Sequence, residues 1–203
     1  MEYPVHTLET PVQLDDCPLF YIDHFQWNCV VHPQACGRMG YLSERGFLVR
    51  MECVETDPKR EYTQPQSAVY RDSALEAFFA FTPCHPRDED MYLNFEMNAN
   101  GAMHAKYGRG RKNRQVLSDA FYRACQCRAA IAADRWQVEV LIPLTLICDL
   151  YDIASFTSGD AFYCNFYKIS ESPEIEHYAS YHPLRSKTPN FHLPSDFARA
   201  VLV

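Results

Sequence analysis

The sequence predicts an all-β fold with little helix, an antiparallel β-sandwich of the jelly-roll or immunoglobulin-like kind. Three observations predict it. Residues 91–98 alternate cleanly, with Met91, Leu93, Phe95 and Met97 on one side and Tyr92, Asn94, Glu96 and Asn98 on the other, which is the period of a strand. Short apolar runs recur between turn signals at intervals of roughly ten residues, the spacing of a sandwich or barrel. Helical patterning is confined to two short stretches near residues 117–124 and 144–151. Neither a repeat nor a linker composition interrupts the chain, so residues 1–203 are expected to form one domain.

Taken in order, residues 19–22 and 27–31 are short apolar runs that read as edge or entry strands. Residues 38–42 and 47–54 form a hairpin around Ser43-Glu44-Arg45-Gly46; Phe47, Val49, Met51 and Cys53 share one face of its second arm. A polar excursion at 56–67 leads into the central pair of strands, 74–81 and 91–98. Pro83, Pro86 and the charged run Arg87-Asp88-Glu89-Asp90 break the chain between them. Residues 102–107 read as a strand, and the basic run 109–114 as a solvated hairpin tip. One or two helical turns follow at 117–124. A second hairpin pairs 128–132 with 136–142 and stops at Pro143, and 144–151 reads as a short helix. The last strands are expected at 161–169, 176–181 and 198–203.

Composition narrows the function. Apolar content of 47% and charged content of 22% belong to an ordinary globular protein. A net charge of −7 argues against nucleic acid as the partner. No apolar run approaches the ~20 residues of a membrane helix. The opening residues carry neither the basic nor the apolar part of a secretory leader, and the nine cysteines are odd in number and mostly single. The expectation is therefore a cytoplasmic protein with reduced thiols. Cys125 and Cys127 lack the second pair a zinc site needs. HExxH, GxGxxG, P-loop and GxSxG motifs are all absent from the sequence.

One residue stands out in the central pair. Residues 74–81 are apolar enough to be buried on both faces, yet Glu76 lies among them. A carboxylate there needs a partner or a ligand. Arg50 and Arg71 are candidate ion-pair partners; a bound molecule is the other reading.

Five segments in order then form a pattern: Tyr70-Arg71-Asp72-Ser73-Ala74-Leu75-Glu76, the stretch YLNFEMNANG at 92–101, W-x-V-E-x-x-I-P at 136–143, CNFYKI at 164–169, and P-N-F-H-x-P-x-x-F at 189–197. Together they resemble the family-9 carbohydrate-binding modules, a sandwich fold of the wider DOMON-like group, over nearly the whole chain. The resemblance implies non-catalytic binding of a small saccharide or glycan chain end in a slot between two aromatic rings, in a bacterial carbohydrate catabolic setting. Tyr70 and Phe191 stand where the family has tryptophans. Glu76 matches the family glutamate that accepts sugar hydroxyls, Glu96 replaces a polar residue that is arginine in some members, and Asn165 and Tyr167 match ligand-facing positions of an inner strand. Arg71 and His192, next to the two rings, complete the candidate set; His192 reads equally as a residue that fixes the C-terminal loop. No cofactor is required by this reading. Family members can carry structural calcium, for which the sequence offers no recognisable ligand set.

Three other functions fit the same residues. Glu76 and Glu96 could serve as the acid and base of a glycoside hydrolase. A haem domain of the DOMON-like kind would need axial His or Met ligands. The fold could also serve as a protein-interaction domain that has lost its sugar.

Overall fold

The computed structural model describes residues 2–203. The first strands in chain order are β1 (Glu2–Leu8), β2 (Phe20–Tyr21), β3 (His24–Phe25), β4 (Gln34–Leu42), β5 (Gly46–Val54), β6 (Ala74–Ala80) and β7 (Met91–Asn98). They are followed by β8 (Met103–Arg109), β9 (Asn113–Val116), β10 (Arg128–Ile131), β11 (Arg135–Pro143), β12 (Ala161–Ser170), β13 (His177–Ser180) and β14 (Ala198–Leu202). Helix α1 (Asp119–Ala124) precedes β10, and α2 (Leu144–Tyr151) follows β11. No helix among the described residues is long and apolar enough to cross a membrane.

The strands make two sheets. One has the order β10-β11-β5-β4, with β2 also on β4; the other runs β14-β12-β6-β7-β8-β9, with β13 on β12 and β3 on β13. Strand β1 joins them. Its first half pairs with β14 and its second half with β4, both in parallel. The sandwich is thus as expected, but it is not purely antiparallel. The parallel ladders escaped the sequence because Pro4 and the exposed His6 and Thr7 give β1 no clean alternation.

Alternation explains the core. Leu75, Ala77 and Phe79 of β6, Phe95 and Met97 of β7, and Phe162 and Phe166 of β12 face inward against Val49, Met51, Trp136, Val138 and Val140 of the other sheet. Phe20 lies flat on Phe166, with centroids 3.9 Å apart and planes 8° from parallel. Each buried ring of this kind contributes about 1.5–3 kcal/mol relative to exposure. The sheet carrying β6 and β7 is buried on its outer face as well, because the C-terminal loops fold over it. That second, smaller core accounts for the wholly buried β6.

A charged group sits inside the sandwich. Lys168, fully buried, follows Phe166 on the inner face of β12. Its Nζ donates to Ser73 Oγ at 2.6 Å and meets His177 Nε2 at 2.8 Å. Burial, followed by the charge on Lys168, pushes His177 down to about 3. It is therefore a neutral acceptor at Nε2, with Nδ1 left to donate to the Ile175 carbonyl at 2.6 Å. Glu55 completes the group, 3.8 Å from Lys168 and accepting from Trp136 Nε1 at 2.9 Å.

Three sequence expectations change. Residues 27–31 are not a strand; Trp27 takes a left-handed φ of 61° and its Nε1 donates to the Ser186 carbonyl, so it braces the C-terminal loop instead. Arg50 does not reach Glu76, being held by Asp15 and Glu139. The basic run is not merely solvated: it spans the turn of a β8–β9 hairpin whose Arg114 folds back onto the sheet. Gly108 makes that hairpin possible, since a Cβ there would come within 2.0 Å of the Asn113 carbonyl oxygen. The nine cysteines are free thiols.

Candidate functional site

The outer face of the β6–β7 sheet forms the floor of a cavity of about 270 Å³. Strand register places Tyr167, Glu76, Glu96 and His104 side by side in one row across β12, β6, β7 and β8. Directly opposite residues on one face have Cβ atoms about 4.5–5.5 Å apart. Two glutamates are therefore neighbours by construction, and both line the cavity.

Loops build the walls. Tyr70 sits on a 3-10 turn, Val69–Arg71, immediately before β6. Buried Asp72 anchors that turn by accepting the backbone N–H groups of Glu61 and Tyr62 and the Nδ2 group of Asn98. The Tyr70 carbonyl accepts from the Glu171 backbone at 2.9 Å, tying the turn to the end of β12. Opposite stand Pro189, Asn190, Phe191 and His192 of the C-terminal loop. Arg111 from the hairpin tip, Glu171, Ile169 and Tyr178 close the remainder.

Of the expected site residues, Tyr70, Glu76, Glu96, Phe191 and His192 meet at this cavity. Asn165, Tyr167 and Arg71 do not line it. Asn165 is spent on the backbone: its Oδ1 accepts from His182 and Phe166, and its Nδ2 donates to the His182 carbonyl. Tyr167 lies beneath Phe191, stacked at 4.2 Å, with its hydroxyl donating to the Phe191 carbonyl. Arg71 is exposed, on the turn beside Tyr70. Alternation selects a face, whereas the covering loops decide which part of that face stays open. Arg111 and Glu171 escaped the sequence reading because each sits in a polar loop with no periodicity to mark it.

The electrostatics are unusual for a sheet face. Glu76 is 2% exposed, and no hydrogen bond or ion pair reaches its carboxylate among the described residues. Burial raises its pKa well above the usual value, and Glu96 and Glu171 raise it further. Glu96, 5% exposed, accepts from Asn94 Nδ2 at 2.9 Å. Burial still pushes it up to about 7, against the Asn94 hydrogen bond and the charges of Lys106 and Arg114. His192 pairs through Nδ1 with the Tyr92 hydroxyl at 2.7 Å and packs on Phe78. Burial, then Arg114 and Arg111, push it down to about 3, so it is a neutral ring. It both fixes the loop and lines the cavity.

Among the described residues no group of three or more His, Cys, Asp or Glu side chains could hold a metal ion. The residues present do not assemble the carboxylate-rich shell that calcium takes.

Comparison with solved structures places the whole fold. A candidate carbohydrate-binding protein from Bacteroides uniformis superposes with a TM-score of 0.86 at 18% identity, covering 100% of this chain and 99% of that one. A family-9 carbohydrate-binding module from Caldicellulosiruptor kristjanssonii in complex with cellotriose gives 0.68 at 12% identity, over 100% and 93%. The same module in complex with glucose gives 0.68 at 12% identity, over 100% and 96%. No curated protein sequence matches the chain. The family model described as carbohydrate-binding family 9 matches residues 8–202, from the end of β1 to the last residue of β14. A match of that extent covers both sheets and every loop around the cavity, and the chain belongs to carbohydrate-binding family 9.

Proposed function

We propose that this protein binds a small saccharide or the end of a glycan chain, without catalysis, in the cavity between Tyr70 and Phe191. The observation that carries the reading is Glu76, a nearly buried carboxylate with no partner among the described residues, opening on a cavity with aromatic walls. Sugar hydroxyls are the donors such a group lacks, and ring faces cover the apolar side of a pyranose. The volume lies near the lower end of the roughly 300–1,000 Å³ of small-molecule sites. It suits one ring or a terminal residue better than a long oligosaccharide. Membership of family 9 and the cellotriose and glucose complexes of the Caldicellulosiruptor module support the same ligand class.

The hydrolase alternative has less behind it. A pair of neighbouring carboxyl groups on one floor does not by itself establish hydrolysis, and the family to which the chain belongs is one of carbohydrate binding.

Calorimetry with glucose and cellotriose tests the proposal on wild type and on Tyr70→Ala, Phe191→Ala and Glu76→Ala, each checked for folding. Losing a ring is expected to cost about 1–3 kcal/mol of affinity, as aromatic stacking does elsewhere. Losing the carboxylate is expected to cost about 1.5–3 kcal/mol. Unchanged affinity in all three folded variants, or no binding of any sugar by wild type, overturns the reading.

A further inference from the structure

We propose that the cavity selects an amino sugar, a pyranose bearing a free ammonium group, over its neutral counterpart, because Glu76 and Glu96 lie side by side on its floor, Glu171 joins them at the wall and Arg111 is the one cation lining it among the described residues. This deepens the saccharide-binding reading and rests on it.

The two floor carboxylates are neighbours in register, and among the described residues neither meets a cation in an ion pair. Among the described residues Glu76 has no donor, and Glu96 has Asn94 Nδ2 on one oxygen alone. Arg71 and Arg111 act on Glu171 from the exposed rim, and the buried cations nearest the floor are held by other groups. Arg114 is spread over Asn94 Oδ1 and the carbonyls of Tyr92, Lys106 and Gly108. Lys168 lies beneath, on the opposite face of the sheet, held by Ser73 and His177. His104, beside Glu96 in the row, is held below its usual pKa by burial and meets the Gln66 carbonyl through Nδ1. Lys106 adds positive potential to Glu96 without lining the cavity. Arg111 reaches the wall from an exposed hairpin tip.

Two like charges at this separation cannot both ionise cheaply, so the empty floor retains a proton. Neutral hydroxyls leave that proton where it is. An ammonium brings three donors and a positive charge, enough to serve both Glu76 oxygens and the free oxygen of Glu96 at once. Its binding drives the shared proton off. The selectivity and the proton release are thus two readings of one event.

Titration calorimetry with glucosamine, glucose and N-acetylglucosamine near neutral pH, with a chelator present, tests this in two buffers of different ionisation enthalpy. Glucosamine is expected to bind about tenfold or more tightly than either neutral sugar, the effect of one added charge-assisted contact. Its apparent enthalpy should change with buffer in the direction of proton release, while that of glucose should not. Glu96→Gln should lose the preference, with glucosamine binding no more tightly than glucose to the same variant. If that variant does not fold, the buffer comparison on wild type decides alone. Glucose binding as tightly as glucosamine overturns the inference and leaves the saccharide reading standing. A preference that survives in folded Glu96→Gln, or one that appears only with added calcium, also overturns it. Failure of every sugar to bind overturns both.

Discussion

Tyr167 and Phe191 stack with centroids 4.2 Å apart and planes 10° from parallel, and the Tyr167 hydroxyl donates to the Phe191 carbonyl at 3.2 Å. One contact holds the ring and the other holds its backbone. The C-terminal loop thus meets the floor of the cavity at a ring that is itself a buried part of the sheet. Phe191 has one face committed to Tyr167 and also meets Trp27 and Tyr178, with centroids 5.8 and 6.2 Å away, so 6% of the residue stays exposed. Tyr167→Ala should cost about 3–5 kcal/mol in urea unfolding, the usual range for a buried aromatic. It should also weaken sugar binding, although Tyr167 does not line the cavity. Tyr167→Phe, which loses only the hydroxyl, should cost about 0.5–1.5 kcal/mol. Equal stability of these two variants would contradict the stacking role.

The buried carboxyls predict a pH signature. Glu96 is pushed from the usual 4.5 up to about 7, with burial as the largest cause. A carboxyl raised on folding binds more protons in the native state, so its contribution to stability falls as pH rises between those values. The slope approaches ~1.4 kcal/mol per pH unit for one fully linked proton. His177 and His192, both pushed down to about 3 by burial first, act in the opposite sense as pH falls below about 6.5. The wild-type profile alone therefore mixes both effects. The difference between wild type and Glu96→Gln isolates the carboxyl. Wild-type stability relative to the variant should decline from about pH 4.5 to about pH 7 and then level off. A flat or rising difference would refute the linkage.

Much of this architecture was legible in the residues. The alternation at 91–98 is β7 as observed, and the pattern at 144–151 is α2 with the same bounds. Leu117–Ala124 contains a helix capped by Ser118 Oγ. At the cavity, a glutamate amid apolar residues was the signal that singled out Glu76, which lines it. The rest depended on long-range covering. Asn165 shares a face with Tyr167, but His182 reaches it from a loop whose path no local pattern reveals. β1 pairs with residues 40–42 of β4 and with residues 199–202 of β14, a split that period alone cannot indicate. Arg111 and Arg114 are three apart in one basic run. One lines the cavity and the other is drawn under the hairpin by Tyr92 and Asn94.

Lys168 should matter to the fold rather than to the ligand. Its ammonium is fully buried between Ser73, His177 and Glu55, and burial lowers its pKa while the neighbouring Cys53 and the carboxylates of Glu55 and Glu76 oppose that. Removing one member of a buried charged group leaves the others without their partner, which typically costs about 3–5 kcal/mol. Lys168→Met keeps the apolar stem and removes only the charge. It should lose close to that range in urea unfolding, while sugar affinity in the folded fraction changes little. A neutral effect on stability would show that the ammonium is dispensable.

Arg114 offers the sharpest test of indirect positioning. Its guanidinium lies 3.6 Å from the centroid of Tyr92. It donates to Asn94 Oδ1 at 3.0 Å, to the Tyr92 carbonyl at 3.1 Å and to the Gly108 carbonyl at 3.2 Å. Two connections lead on to the cavity. Asn94 turns its Nδ2 to Glu96, and Tyr92 holds His192 through its hydroxyl. Arg114→Ala should therefore free the hairpin, the amide and the loop together, at about 1.5–3 kcal/mol for the charged hydrogen bonds alone. Lysine keeps the charge but lacks the planar fork that reaches several acceptors at once. Arg114→Lys should accordingly behave much like the alanine variant in thermal unfolding and weaken sugar binding in calorimetry. Full rescue by lysine would mean that the positive charge near Glu96, and not the geometry of the fork, is what this residue supplies.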